Sequence, residues 1–132
     1  MSMRSGPRIL VVDDDRDYGE LVAELLEMRG YPADATFDVE AAGTRLKAGR
    51  YDAVVTDLHM GPMNGMDLLA IVRERHPDTP VIVMSAFPTA DTRADVMAAG
   101  ACAFIDKPFG ANDLIGVLTQ VGKGASDTSS AS

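Results

Sequence analysis

An α/β fold, with helices wound on both faces of a five-stranded parallel sheet, is the class this 132-residue sequence predicts. Three observations predict it. Short β-branched or apolar runs alternate with amphipathic helical stretches along nearly the whole chain. The strongest runs are apolar at every position, as in strands buried on both faces. Each of the first four helical stretches closes on a glycine or a proline.

Taken in order, Ile9-Leu10-Val11-Val12 reads as the first strand. Asp17 to Met28 follows as a helix, with Tyr18, Leu21, Val22 and Leu25 on one stripe and Gly30 as its stop. Ala33 to Phe37 is a weaker second strand, and Asp38 to Ala48 is an Ala-rich helix closed by Gly49. Ala53-Val54-Val55-Thr56 is the third strand. Asn64 to His76 carries Leu68, Leu69 and Val72 and ends at Pro77. Val81-Ile82-Val83-Met84 is the fourth strand, Ala90 to Ala99 a helix closed by Gly100, and Ala103-Phe104-Ile105 a weaker fifth strand. Asn112 to Val121 places Leu114, Val117, Leu118 and Val121 at the spacing of one helix face. Five strands in about 115 residues fit the doubly wound, flavodoxin-like order 2-1-3-4-5 with right-handed crossovers.

Composition narrows the class of function. Hydrophobic residues make up 46% and charged residues 24%, near the globular average, so the chain can build a core. No apolar run approaches the ~18–20 residues of a membrane span. The first residues carry no apolar stretch and do not read as a secretory signal, so a cytoplasmic location is expected. Net charge is −8, which speaks against direct contact with nucleic acid and suits a cation ligand or a basic partner. The single cysteine, Cys102, cannot form an internal disulfide and is expected to be buried and inert. Residues 1–7 are expected to be flexible and residues 8–121 to form one domain. Residues 122–132, which contain no large apolar side chain, are expected to be a flexible tail or linker.

In open parallel sheets, ligands bind beyond the carboxyl ends of the strands, where the strand order reverses. Asp13, Asp14 and Asp15 follow the first strand, Asp57 the third, Ser85 the fourth, and Asp106, Lys107 and Pro108 the fifth. The fold therefore brings carboxylates from the first and third strands to one crevice. Two carboxylates ~4 Å apart repel by about 4 kcal/mol at an effective dielectric near 20. Lys107 offers one compensating charge and a divalent cation two. The candidate ligands are all hard oxygens, which suits Mg²⁺. Asp57 is then a candidate nucleophile for an acyl phosphate, with Ser85 and Lys107 as contacts for phosphoryl oxygens.

Each residue also has a plainer reading. Asp15 and Asp17 fit a helix N-cap and an acidic first turn. A lone Asp after a strand is often a turn residue, and a lone Ser or Lys is usually satisfied or solvated. What lifts the functional reading is that Asp13, Asp57, Ser85 and Lys107 all converge on one sheet edge. Met60, Met63 and Met66 read as packing. His59 and His76 do not suggest a zinc site. Phosphate-binding glycine loops and a serine-nucleophile elbow are lacking.

At these residues the sequence resembles the receiver domain of bacterial two-component response regulators. The motifs are Ile9-Leu10-Val11-Val12-Asp13-Asp14-Asp15, Val54-Val55-Thr56-Asp57-Leu58, Val83-Met84-Ser85-Ala86 and Phe104-Ile105-Asp106-Lys107-Pro108-Phe109. The resemblance implies that Asp57 is the phospho-acceptor, taking its phosphoryl group from a phosphohistidine of a sensor histidine kinase or a phosphotransfer protein. It implies Mg²⁺ held by Asp13, Asp14 and Asp57 with the backbone carbonyl of His59. Ser85 becomes the switch hydroxyl, Lys107 the phosphate-contacting lysine, Phe104 the switch aromatic, and Lys107–Pro108 a cis bond. A face made by the fourth helix, fifth strand and fifth helix would then change shape for a downstream protein or output domain, or for a homodimer formed on phosphorylation. Such a domain is no enzyme toward a separate substrate and catalyses only its own phosphoryl transfer and dephosphorylation.

Two departures stand out. The loop after Asp57 reads Met60-Gly61-Pro62-Met63, with its proline one place later than the family pattern. Phe87 stands where a polar side chain often seats the hydrolytic water, so slow self-dephosphorylation is expected. The alternative is a small Mg²⁺-dependent phosphatase of the haloacid dehalogenase type. That family also uses an aspartyl nucleophile, but this chain is too short for its cap domain. A flavodoxin-like binding module is a third reading, lacking the hydroxyl-rich phosphate loop after the first strand.

Overall fold

The computed structural model describes residues 7–60 and 64–131, with side chains as far as Val121. Five strands and five helices alternate: β1 (Ile9–Val12), α1 (Arg16–Met28), β2 (Ala33–Thr36), α2 (Val39–Ala48), β3 (Ala53–Asp57), α3 (Gly65–Arg75), β4 (Val81–Ser85), α4 (Ala90–Ala98), β5 (Ala103–Asp106) and α5 (Ala111–Ala131). The sheet is parallel throughout, in the order β2-β1-β3-β4-β5. Both the alternation and the order match the expectation from sequence.

The three apolar runs are central strands, and their burial explains their composition. Every residue of β1, β3 and β4 is buried. Alternate residues feed two cores. Leu10, Val12, Val54, Val81 and Val83 pack under α2, α3 and α4, among Ala42, Leu46, Leu68, Leu69, Val72 and Val96. Ile9, Val11, Val55, Ile82 and Met84 pack under α1 and α5, among Val22, Leu26, Leu114 and Leu118. The edge strands β2 and β5 are only partly covered, which accounts for their weaker apolar pattern.

Helix ends follow local chemistry. Asp15, Asp38, Asn64 and Thr89 each accept a backbone N–H at an N-terminus, and Asn64 and Asp67 form a reciprocal capping box. Gly30 and Gly100 take positive φ angles of 88° and 111°. After α1, Gly30 N–H donates to the Glu27 carbonyl and Tyr31 N–H to the Leu26 carbonyl, the paired closure that a left-handed residue permits.

Two expectations need correction. Leu21 lies 48% exposed and Leu26 holds the buried place on α1, because the stripe facing the sheet is rotated by one residue toward Gly19, Val22 and Leu26. Cys102 is exposed, because it precedes the edge strand β5 rather than lying within it. Gly49 closes α2 as expected, in extended backbone with φ −146°. Residues 1–6 and the Gly61-Pro62-Met63 part of the loop after β3 lie outside the described residues. Helix α5 continues as backbone through most of the segment expected as a tail, and the side chains beyond Val121 lie outside the described residues. Among the described residues, no helix is long and apolar enough to cross a membrane.

Candidate functional site

Strands β1 and β3 are neighbours in register, with Val12 beside Thr56. The residues that follow them, Asp13 and Asp57, therefore emerge side by side at the carboxyl edge. Asp13, Asp14 and Asp57 each offer a carboxylate oxygen, and these atoms lie within 4.8 Å of one another. Asp13 is fully buried and Asp57 is 6% exposed, while Asp14 faces solvent. Lys107 reaches in from the loop after β5. Its Nζ donates to Asp13 at 2.9 Å and to Asp57 at 3.2 Å. The Asp13 side chain also accepts from the Asp15 backbone N–H at 2.9 Å.

One ammonium thus bonds two carboxylates with a third beside them, and the imbalance marks the ionisation of Asp57. Burial pushes the Asp57 carboxyl above the ordinary carboxylate range, the charge of Asp13 adds to it, and Lys107 only partly opposes them. Burial pulls the Lys107 ammonium down, but its bonds and attraction to Asp13 and Asp57 outweigh this and leave it above its ordinary value. A hydroxyl and a backbone turn complete the edge. Ser85 is fully buried, its Oγ accepts from the Phe87 backbone N–H at 3.0 Å, and its carbonyl accepts from Lys107 N–H at 2.8 Å. The Lys107–Pro108 bond is cis.

The flanking aromatic groups are placed as follows. Phe104 on β5 is half-buried, and the Arg93 guanidinium of α4 lies 4.7 Å from its ring centroid. Arg93 also pairs with Asp106 at 3.1 Å. Phe87 is 73% exposed, with its ring edge-on to His59 at 6.1 Å. Asp15 is the N-cap of α1, its plainer reading, and stands outside the carboxylate cluster.

Two contributors escaped the sequence reading. Gly65 opens α3 with its N–H donating to the Leu58 carbonyl at 2.9 Å. A Cβ there would lie 2.5 Å from the Asp57 carbonyl oxygen and 2.9 Å from Leu58 Cα, so only glycine lets α3 close on the end of β3. The position of Gly65 just after the N-cap Asn64 was the available signal, though not a specific one. Tyr18 sits under Lys107, its ring centroid 4.5 Å from Nζ. Its place on the helical stripe suggested packing alone.

The donor set fits a hard divalent cation: three carboxylates, two of them buried, converge, and among the described residues Lys107 alone pairs with them as a cation. The chain matches the family model "Response regulator receiver domain" over residues 9–119. It is 35% identical over 114 residues to the nitrogen assimilation regulatory protein NtrX of Azorhizobium caulinodans, covering 85% of this chain and 25% of that protein. It is 36% identical over 114 residues to the DNA-binding transcriptional regulator NtrC of Rhizobium meliloti, covering 86% and 24%. The chain thus spans about a quarter of the length of these curated relatives. The crystal structure of the receiver domain of NtrX from Brucella abortus superposes with a TM-score of 0.80 at 32% identity, covering 85% of this chain and 95% of that one. The chain belongs to the receiver domains of two-component response regulators, phosphorylation-dependent signalling switches that act only in their own phosphorylation and dephosphorylation.

Proposed function

We propose that Asp57 is the phospho-acceptor of this switch. The observation that carries the reading is the shared Lys107 ammonium, which holds Asp13 and Asp57 together at the sheet edge. A carboxylate oxygen of Asp57 attacks the phosphorus of a phosphohistidine on a sensor kinase or phosphotransfer protein. The P–O bond forms as the P–N bond breaks, and the bonding pair leaves on the imidazole nitrogen. Asp13, Asp14, Asp57 and the His59 backbone carbonyl would hold Mg²⁺. When bound, the ion supplies charge neutralisation and alignment for the phosphoryl oxygens. Lys107 stays beside Asp57 as a point charge for one phosphoryl oxygen, and the Ser85 hydroxyl turns from the Phe87 N–H to donate to another.

The output follows from what Ser85 and Phe104 share. Movement of Ser85 toward the phosphoryl group draws the β4–α4 loop and opens space into which Phe104 turns. Arg93 sits on Phe104 and binds Asp106, so α4 responds to the same event. Between α4 and α5 the edge strand β5 carries an open cleft of about 470 Å³, lined by Arg93, Phe104, Asp106, Phe109 and Val117 among others. This face is the proposed contact for a downstream protein, an output domain or a second phosphorylated copy, with the protein acting in the cytoplasm. A partner that prefers one shape of the face shifts the population.

The test is incubation with acetyl phosphate and Mg²⁺, followed by intact mass. Wild type gains one phosphoryl mass that chelation of the metal prevents, and Asp57→Asn gains none. Added mass that persists in Asp57→Asn rejects the acceptor assignment.

A further inference from the structure

Tyr18 has no part in the roles described so far, yet it touches the ammonium on which they depend. The Lys107 Nζ lies 4.5 Å from the centre of the Tyr18 ring while it donates to Asp13 and Asp57. The ring itself is held from two sides. Its backbone belongs to the first turn of α1, where Tyr18 N–H donates to the Asp15 cap at 3.2 Å. It packs edge-to-face with the Phe109 ring, with centroids 6.1 Å apart and planes at 81°. Phe109 lies two residues beyond Lys107, and both aromatic rings pack on the core beneath α1 and α5. The loop that delivers the lysine is thereby joined to the helix that follows the acidic strand end.

The choice of an aromatic ring here has a physical reason. A lysine has a flexible four-carbon stem, and its charge must stay placed while one of its carboxylate partners gains a phosphoryl group. A further carboxylate would hold the ammonium, but it would add a fourth negative charge to the cluster. An aliphatic side chain would fill the space without attracting the charge. The face of an aromatic ring attracts the ammonium and brings no charge of its own. We propose that Tyr18 is a positioning residue, whose ring holds the Lys107 ammonium between Asp13 and Asp57 for phosphoryl transfer. This rests on the roles given above to Asp57 and Lys107.

The experiment compares Tyr18→Phe and Tyr18→Leu with wild type in the full chain, using acetyl phosphate and Mg²⁺ and following intact mass over time. Phe keeps the ring and is expected to react within about twofold of wild type, whereas Leu is expected to slow the reaction roughly three- to tenfold. Proton–carbon NMR of the lysine ε-methylene supplies a readout that loss of packing alone would not restore. The Lys107 signal should be displaced by the ring current in wild type and Tyr18→Phe, and should fall with the other lysines in Tyr18→Leu. Repeating the Leu substitution in a Lys107→Met background should add no further slowing, because the ring then has no ammonium to place. The proposal is overturned if Leu reacts like wild type, if Phe is as slow as Leu, or if the Leu effect persists in full without the lysine. A failed acceptor assignment shows itself separately, as wild type without added mass or Asp57→Asn with it, and removes this proposal too.

Discussion

The two ends of the sheet treat the same chemistry in opposite ways. Beside the amino ends of the strands, Asp34 is one carboxylate with an excess of partners. Arg8 reaches it at 2.8 Å, the Tyr51 hydroxyl at 2.7 Å and Arg45 at 3.7 Å. Burial works to raise the Asp34 carboxyl, but the bonds from Tyr51 and Arg8 overcome it and hold it below its ordinary value. At the carboxyl ends, Lys107 is one cation divided between two carboxylates with a third nearby, and Asp57 is held above its ordinary value. Both ends set a cation over a tyrosine ring, Arg8 on Tyr51 and Lys107 on Tyr18. Tyr51 also donates its hydroxyl to the carboxylate and so completes the cluster. The lesson is that a finished ion cluster holds the strands, whereas an unfinished one stores a demand for positive charge that a ligand can meet.

The contrast can be broken or sharpened by substitution. The largest effect is expected from Lys107→Ala, which leaves buried Asp13 without its cation. Breaking such a pair costs about 3 kcal/mol, read as a lower unfolding midpoint in urea, and Mg²⁺ should restore much of it. A loss that Mg²⁺ leaves untouched would mean that the carboxylates do not share an ion site. Next comes Asp34→Asn, expected to destabilise by about 1–2 kcal/mol at neutral pH. Because the Asp34 carboxyl is depressed in the fold, its contribution is present above the ordinary carboxylate range and lost as pH falls through the folded value. The gap between Asp34→Asn and wild type should therefore close on acidification.

The smallest effect has the opposite sign. The Asp57 carboxyl is raised in the fold, so its ionisation costs stability above the folded value, and that cost disappears as pH falls toward the ordinary range. Asp57→Asn should melt on the order of a few degrees higher than wild type at neutral pH without metal. The advantage should shrink on acidification and should reverse when Mg²⁺ is added. Thermal melts of both variants across pH 4 to 8 read the two signs directly. If Asp34→Asn and Asp57→Asn moved stability in the same direction at neutral pH, the distinction between the two poles would fail.

Much of this was legible in the sequence because the central strands and the acidic edge obey local rules. A run such as Ile9 to Val12 must be buried on both faces, and the residue after it must leave the sheet at the carboxyl edge. That logic brings Asp13, Asp57, Ser85 and Lys107 to one sheet edge. Helix stripes were less exact, since a rotation of one residue exchanges Leu25 for Leu26 and turns Leu21 toward solvent without changing the apolar pattern much. Cys102 was misread because it stands just before β5, and an apolar neighbourhood in sequence does not reveal where an edge strand begins.

What the sequence by itself determined is the order of elements, the strand order and which groups stand at the carboxyl edge, because each follows from short-range periodicity and the connection rules of parallel sheets. Tertiary structure alone decided how charge is shared there. Lys107 lies 94 residues from Asp13 and 50 from Asp57, and no local pattern records that its ammonium bridges both. Nor does any local pattern show Tyr18 beneath that ammonium, or the absence of space for a Cβ at Gly65. Distances of a few ångströms between residues remote in sequence arise only when packed helices fix the loops, and electrostatic energies change most steeply over that range.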